Sequence, residues 1–315
     1  MRAVTLGTDG RFSVAEAPEP VPGPGEVEVE VTHAGVQWGD VLVRDGHFPV
    51  PRPFVPGFEA AGRIGAVGEG VDPGRVGERV VALLTGGGFA EVAVAPAALA
   101  VAAGGLDGRT AAASGWTTPT AYDLVGTVAR VRPGESVLVH AAAGGVGGQA
   151  VQFARLAGAG RIVGVVGGRE QAEYAARYGC DRVVTRDAFP AALEGEAFDV
   201  VLDPVGGATR RANLTLLAPH GRLVVYGNIA TFEPVTVSAN DLLGQGQSLL
   251  AYNSSLLATT HPARLAGSAA LALAEVAAGR VRIDVTAEYA LAETGEAVGR
   301  LAEGRTRGKS VVRVR

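Results

Sequence analysis

The residues with the clearest chemical purpose form a run of small side chains that begins at Ala141. The run reads Ala-Ala-Ala-Gly-Gly-Val-Gly, which is a variant of the G-x-G-x-x-G pattern. Gly144 would let the backbone approach a pyrophosphate, and Gly147 would let a helix pack closely on a strand. The N–H groups at the start of that helix would point at the anion. The run therefore predicts a dinucleotide-binding turn, and the alternative is a purely structural glycine turn. The candidate cofactor contacts are Ala142, Gly144, Gly145, Val146 and Gly147.

A second set of candidate cofactor residues lies about 20 residues further on, where the next predicted strand ends. The chain there reads Gly167-Gly168-Arg169 and has no carboxylate in the position that would bond the ribose 2′-hydroxyl of NAD. A small residue at Gly168 followed by the guanidinium of Arg169 leaves room and charge for a 2′-phosphate, which favours NADPH. Glu170, one residue later, keeps NAD open as the alternative. Arg186, after the third predicted strand, is either a second cation for the phosphate or a surface arginine.

Composition argues against several classes of function. The single cysteine, Cys180, cannot form an intramolecular disulfide or a multi-cysteine zinc site, and the five histidines are scattered without ligand spacing. A net charge of −4 and the absence of basic runs with interleaved aromatics argue against nucleic-acid binding. No apolar run reaches the roughly 18 residues of a membrane span, and the N-terminus does not resemble a signal peptide. We therefore expect a cytoplasmic protein that binds neither membrane nor nucleic acid.

Two patterns of predicted elements must position these residues, and 315 residues suffice for about two domains. The first hundred residues alternate strand-like runs, at 26–31, 76–84 and 89–94, with turn signals, which predicts an antiparallel β-rich domain. From Pro133 onward strands alternate with helices, which predicts a doubly wound parallel sheet. Its strands are predicted at 136–140, 161–166, 182–184, 199–203 and 222–226, and its helices from the glycine run to 156 and at 169–178 and 208–217. The last sixty residues predict helices at 262–278 and 293–302 and strands at 283–287 and 310–314.

A set of ordered motifs runs along the whole chain. They include Pro22-Gly23-Pro24-Gly25-Glu26-Val27, Val55-Pro56-Gly57-Phe58-Glu59-Ala60-Ala61-Gly62, Val76-Gly77-Glu78-Arg79-Val80, the glycine run, Asp203-Pro204-Val205-Gly206-Gly207 and the segment 304–310. Together they resemble the medium-chain dehydrogenase/reductase superfamily, in its zinc-free quinone oxidoreductase (zeta-crystallin-like) branch. The resemblance implies an α/β chain in which a GroES-like catalytic domain, 1–116 with 254–315, is split around a Rossmann domain at 117–253. It also implies NADPH in the cleft between the domains, a small-molecule substrate and a homodimer.

One departure within that resemblance concerns metal binding. Zinc-dependent relatives carry a Gly-His-Glu motif, whereas this chain reads Gly57-Phe58-Glu59, and a phenyl ring cannot bind zinc. We therefore expect no metal. Without a Lewis acid to stabilise an alkoxide, reduction of a quinone or an α,β-unsaturated carbonyl fits better than alcohol oxidation, because conjugation itself spreads the developing charge.

Two further departures affect the candidate catalytic residues, which are Gln37, Asp40 and His47. Relatives usually carry Asn-x-x-Asp where this chain reads Gln-Trp-Gly-Asp, and a tyrosine where it has Phe48. Gln37 can still hydrogen-bond a substrate oxygen, whereas Asp40 is better interpreted as a backbone cap than as an acid. Phe48 has no hydroxyl, so His47 is the candidate replacement proton donor, and the alternative is a loop histidine that points to solvent.

Aromatic side chains are candidates for the walls of a substrate pocket. Trp38, Phe48 and Phe58 could line such a pocket for a flat acceptor, or they could simply be core residues. The resemblance adds a second group, with Tyr252 as a pocket residue and Tyr226, Gly227, Asn228, Asn253 and Arg305 as cofactor contacts.

The sequence therefore predicts a zinc-independent, NADPH-dependent oxidoreductase that transfers hydride to a quinone or an enone. This chain has Gln37 and Phe48 in place of the two polar pocket residues that relatives usually carry. These replacements support one alternative, an enoyl reductase that tailors a polyketide or another natural product. The other alternative is a protein that binds NADPH without turnover.

Overall fold

The structure, a computed structural model, describes all residues from 1 to 315. Strands β1 to β15 span Arg2–Leu6, Phe12–Glu16, Glu26–Val36, Glu59–Val67, Arg79–Leu83, Val92–Pro96, Ala100–Ala102, Ser136–His140, Arg161–Val166, Arg182–Thr185, Phe198–Asp203, Leu217–Val225, Ser248–Ala251, Val285–Ala290 and Lys309–Arg313. Helices α1 to α10 span Trp38–Arg44, Gly108–Ala112, Thr117–Tyr122, Gly145–Leu156, Arg169–Arg177, Gly207–Thr215, Ala239–Gln245, Ser254–Thr260, Pro262–Ala277 and Thr294–Ala302. A π-helical turn at Asp123–Val128 follows α3.

The chain forms two compact units, one made of Met1–Pro119 with Ser255–Arg315 and the other of Thr120–Ser254. The first unit contains a seven-stranded sheet in the order β14-β15-β3-β4-β5-β7, with β6 paired to β3. The last strand, β15, is antiparallel to β3, with Ser310 opposite Val36. The C-terminal residues therefore complete a sheet that is begun near the N-terminus.

Strand β3 shows why this unit folds as a half-buried sheet. Val27, Val29 and Val31 are fully buried, while Glu28 and Glu30 alternate with them on the other face. A period of two places every second side chain on the core face of a strand. The three valines join a core cluster with side chains from the neighbouring strands, and this cluster supports the end of β3 where α1 begins.

The second unit is a six-stranded, fully parallel sheet in the order β10-β9-β8-β11-β12-β13. In chain order this is 3-2-1-4-5-6, the strand order of a Rossmann fold. The central strands are buried on both faces, as the fully buried run Val137, Leu138 and Val139 shows. The structure therefore confirms the predicted doubly wound parallel sheet, and ligands of such sheets bind at the carboxyl ends of the strands, where the strand order reverses. Here the order reverses between β8 and β11.

Some element bounds differ from the prediction. Strand β12 was predicted at 222–226 but begins at Leu217, because Leu217 already pairs with Phe198 of β11 before an irregularity in the register. Strand β5 was predicted at 76–84 but begins only at Arg79, since a turn with Gly77 at positive φ precedes it. Among the helices, none combines the length and the apolar character that crossing a bilayer would require.

Candidate functional site

The glycine run lies at the carboxyl end of β8, next to the point where the strand order reverses. Gly144 is the N-cap residue of α4, and no side chain caps this helix end, so its first N–H groups remain available for an anion. A Cβ atom on Gly147 would lie 2.2 Å from the carbonyl oxygen of Ala141, so only glycine allows this packing. Ala142 is buried and donates its N–H to Val165 of β9. The glycine run and the first N–H groups of α4 together fit the pyrophosphate of a dinucleotide.

Two arginines stand at the carboxyl ends of the next strands. Arg169 is the first residue of α5, directly after β9, and its helix also begins without a side-chain cap at Gly168. Arg186 follows β10, and its backbone N–H donates to the carbonyl of Val166, the last residue of β9, at 2.7 Å. Both arginines are exposed, and neither forms an ion pair. The structure thus brings two free guanidinium groups to the edge where a ribose 2′-phosphate would need them.

A third group at this edge centres on Asp203, the fully buried last residue of β11. Its Oδ1 accepts the N–H groups of Val205 and Gly206 at 2.6 and 3.2 Å, and its Oδ2 accepts from Arg210 Nε at 3.0 Å. The same guanidinium donates to Asn228 Oδ1 at 3.1 Å and to the Gly227 carbonyl at 2.7 Å. Arg210 was not among the predicted site residues, because no local pattern reveals that one side chain serves three acceptors.

The hydroxyl groups of two candidate tyrosines in this unit have different surroundings. The Tyr226 hydroxyl is buried and lacks a hydrogen-bond partner; burial, with the nearby charge of Asp203, raises the pKa of this phenol far above its ordinary value. The Tyr252 hydroxyl, just after β13, donates at 2.8 Å to Asp123 Oδ2 in the π-helical turn. Its neighbour Asn253 is exposed. The Tyr252 hydroxyl is therefore engaged by a carboxylate of its own unit.

In the β-rich unit, the N-terminus of α1 carries the candidate catalytic residues Gln37 and Asp40. Gln37 is the N-cap residue, and its Oε1 accepts from the N–H of Gly39 at 3.2 Å. Asp40 is fully buried, with Oδ2 accepting from Gln37 N at 2.9 Å and Oδ1 from Gly57 N at 3.0 Å. Burial raises the pKa of Asp40 to about 7, although both backbone hydrogen bonds oppose that rise. Asp40 therefore acts as a backbone cap that positions Gln37.

A buried ion pair lies beside this helix end. Glu59 is fully buried, with Oε2 accepting from Trp116 N at 2.7 Å and Oε1 accepting from Lys309 Nζ. Lys309 also donates to the carbonyl of Val36 at 2.8 Å, one residue before Gln37. No local pattern points to this buried role of Lys309, because its partner Glu59 is 250 positions away.

The aromatic candidates occupy different surroundings. A Cβ atom on Gly39 would lie 3.1 Å from Gln37 Nε2 and 3.3 Å from Phe58 Cδ2, so Phe58 and the Gln37 amide flank the same glycine. Trp38 instead packs on the main core cluster of the unit, with its indole nitrogen buried and unpartnered. Phe48 is 41% exposed in the loop after α1. The structure thus brings Gln37 and Phe58 together but does not show a single aromatic wall.

The two remaining candidates are exposed residues of the β-rich unit. His47 is exposed in the loop after α1, where its backbone N–H donates to the Leu42 carbonyl at 2.8 Å. Arg305 is exposed after α10 and pairs with Glu303 at 3.0 Å. No group of three or more His, Cys, Asp or Glu side chains in the structure could hold a metal ion. At residue 58 itself, the phenyl ring has no atom that could bind zinc.

The fold and these residues define a dehydrogenase/reductase built from a β-rich unit and a nucleotide-binding Rossmann unit. Residues 23–105 match the family described as alcohol dehydrogenase GroES-like domain, and residues 145–264 match the family described as zinc-binding dehydrogenase. The second description names zinc binding, but this chain has Phe58, whose ring cannot bind a metal, where zinc-dependent relatives carry a histidine.

Individual relatives show which branch of this class the chain resembles. The quinone oxidoreductase of Pseudomonas aeruginosa is 35% identical over 290 residues, which cover 88% of each chain. The crystal structure of the Escherichia coli quinone oxidoreductase complexed with NADPH superposes with a TM-score of 0.86 at 28% identity, over 99% of this chain and 100% of that one. A phthioceranic/hydroxyphthioceranic acid synthase of Mycobacterium tuberculosis is 31% identical over 90% of this chain but only 14% of its own length. The chain belongs to the medium-chain dehydrogenase/reductase superfamily, in its quinone oxidoreductase branch, and is an oxidoreductase.

Proposed function

We propose that the chain is a zinc-independent reductase that uses NADPH to reduce a quinone or an α,β-unsaturated carbonyl. The observation that carries this proposal is the Gln37 amide, which stands beside Phe58 where zinc-dependent relatives have a metal ligand. A hydrogen-bond donor beside this residue would polarise the substrate oxygen without a metal.

The residues of the Rossmann unit fit NADPH. The uncapped N-terminus of α4 and the close packing at Gly147 suit the pyrophosphate, and Arg169 with Arg186 suits the 2′-phosphate. Tyr226, Gly227, Asn228 and Asn253 follow the last two strands at the same sheet edge and are assigned to the nicotinamide end. When bound, NADPH supplies the hydride that reduces the acceptor.

The orientation of the Gln37 amide determines which kind of substrate it can activate. Its Oε1 already accepts a hydrogen bond as the cap of α1, whereas Nε2 is the group available to a ligand, and an amide nitrogen can only donate. A substrate carbonyl oxygen accepts such a bond, and the bond strengthens as negative charge develops on that oxygen. Conjugated carbonyls and quinones spread this charge, which makes them the acceptors that one neutral donor can activate.

Proton delivery is assigned to His47. Phe48 occupies the place of the usual tyrosine and has no proton to give, whereas His47 is exposed and adjacent in sequence. An imidazole is a suitable general acid near neutral pH.

The proposal is tested by NADPH oxidation at 340 nm against quinones, simple enones and enoyl thioesters, with NADH run in parallel. We expect turnover of quinones or enones that is much faster with NADPH than with NADH. Turnover of primary alcohols with NADP⁺, enhanced by added zinc, would contradict it.

A second candidate function is an enoyl reductase that acts on a natural-product intermediate. It is favoured by the match to a segment of the Mycobacterium tuberculosis synthase and by the replacements at Gln37 and Phe48. Fast turnover of enoyl thioesters with little turnover of benzoquinone would select this candidate. Tight NADPH binding with no turnover of any acceptor would instead select a non-catalytic NADPH-binding protein.

A homodimer is proposed from the edge of the Rossmann sheet. Strand β13 is an edge strand in the single chain, and it carries exposed Leu249, while Leu243 on the preceding helix is 80% exposed. Uncovered apolar edges of this kind favour pairing with another copy. Light scattering coupled to size-exclusion chromatography should give twice the chain mass of 31.9 kDa, and a monomer mass would contradict the dimer.

A further inference from the structure

Arg210 connects three groups at the carboxyl edge of the Rossmann sheet. Its side chain is only 14% exposed, and each of its three nitrogens has an acceptor: Asp203 Oδ2, Asn228 Oδ1 and the Gly227 carbonyl. A planar guanidinium can bind three acceptors in fixed directions, which a lysine ammonium on a flexible stem does not reproduce. The side chain is therefore a rigid connection between the ends of β11 and β12.

The backbone around Arg210 supports the same connection. Tyr226 N donates to the Asp203 carbonyl at 3.1 Å, and Ile229 N donates to the Pro204 carbonyl at 2.8 Å. A Cβ atom on Gly206 would lie 3.2 Å from Asn228 Oδ1, so the two segments are in direct contact there. The segment after β12 is thus held against the segment after β11 for several residues beyond the sheet.

The guanidinium also determines which end of the Asn228 amide is free. Asn228 Oδ1 accepts from Arg210, so Nδ2 is left for a ligand and can only donate. The carboxamide oxygen of a nicotinamide is a matching acceptor.

We infer that Arg210 is a positioning residue for the nicotinamide end of the cofactor, acting through Asn228 and Gly227. The inference rests on the proposed NADPH-dependent function and extends it to a residue that does not itself contact the cofactor. It predicts that Arg210 affects the nicotinamide half of NADPH and not the adenosine half, which the glycine run and Arg169 hold.

The test compares NADPH with 2′-phospho-ADP-ribose, which has the same phosphates but no nicotinamide, by isothermal titration calorimetry. The main variant is Arg210→Lys, because it keeps a cation beside the buried Asp203 carboxylate while losing the fork that reaches Asn228. Arg211→Ala is the matched control, since Arg211 is exposed on the same helix and forms no ion pair. Arg210→Ala is less informative because it leaves Asp203 buried without its cation and could fail to fold.

We expect Arg210→Lys to weaken NADPH binding about tenfold or more, because the Asn228 amide is no longer held in the orientation that donates to the ligand. Binding of 2′-phospho-ADP-ribose should be unchanged, and Arg211→Ala should match the wild type for both ligands. Asn228→Ala should weaken NADPH similarly, and the Arg210→Lys/Asn228→Ala double variant should lose no more than either single variant.

Equal losses for both ligands, or no loss for either, would overturn the positioning role. If the wild-type protein binds 2′-phospho-ADP-ribose but not NADPH, or neither ligand, the proposed function itself fails. The two failures are therefore distinguishable in one series of titrations.

Discussion

Lys309 donates from its ammonium to Glu59 Oε1, and both side chains are buried in the β-rich unit. Lys309 is the only lysine of the chain. Its ammonium also holds the Val36 carbonyl, so the ion pair ties strand β15 to the end of β3, from which Gln37 extends. The position of the candidate catalytic amide therefore depends on a residue near the C-terminus.

Replacing Lys309 by methionine should destabilise the protein strongly. The variant leaves the Glu59 carboxylate buried without its cation, and breaking a buried pair from one side costs about 3–5 kcal/mol. The free energy of unfolding in urea measures the loss. The double variant Lys309→Met/Glu59→Gln should recover much of it, because no uncompensated charge remains; a single-variant loss below about 1 kcal/mol would contradict the buried pair.

Because of Asp40, the free energy of unfolding should decrease as pH rises, which is opposite to the usual effect of a carboxyl group. The pKa of its carboxyl rises from 3.8 to about 7 on folding because of burial, so between these values the folded chain holds a proton that the unfolded chain has released. Its contribution is constant below the unfolded pKa, decreases as pH rises through this window, and levels off above it. The total change is on the order of 4 kcal/mol.

The variant Asp40→Asn removes this titration. Its free energy of unfolding relative to the wild type should therefore rise from pH 4 to pH 7, as measured by urea denaturation at half-unit intervals. Two curves that stay parallel over this range would show that Asp40 does not titrate there.

Arg169 should discriminate between the two nicotinamide dinucleotides. Arg169→Ala removes a charge-assisted contact to the 2′-phosphate, and we expect NADPH binding to weaken about 10- to 100-fold while NADH binding stays the same. Arg177→Ala, at the other end of the same helix, is the control that should change neither. Equal losses of NADPH and NADH, measured by fluorescence titration, would remove Arg169 from the phosphate site.

His47 should control proton delivery to an enone. His47→Gln removes the general acid, for which we expect turnover to fall by about a hundredfold. Adding Phe48→Tyr to His47→Gln should restore part of the activity, since it returns a phenol to the loop; unchanged enone turnover in His47→Gln would exclude the role.

The elements around the glycine run could be predicted with their bounds. Strands at 136–140 and 161–166 and a helix that ends at 156 were expected, and the structure has β8, α4 and β9 at these places. Buried strands, a glycine turn and a helical period are all set by residues within a few positions of one another. Helices α1 and α7 were not predicted, because each is only seven residues long and too short for a clear helical period.

The sequence by itself determined the kinds of chemistry this protein can perform. The glycine run, the arginine in place of an acid at Arg169 and the phenyl ring at Phe58 are properties of residue type and local spacing, which need no tertiary partner to be recognised. Tertiary structure alone decided which atoms those residues have free. The oxygen of Gln37 is engaged as the cap of α1 and that of Asn228 by Arg210, which leaves each amide nitrogen as the donor for a ligand. The physical reason is that a hydrogen bond has a direction and occupies a particular atom, so the partner chosen by packing determines the chemistry left for a ligand.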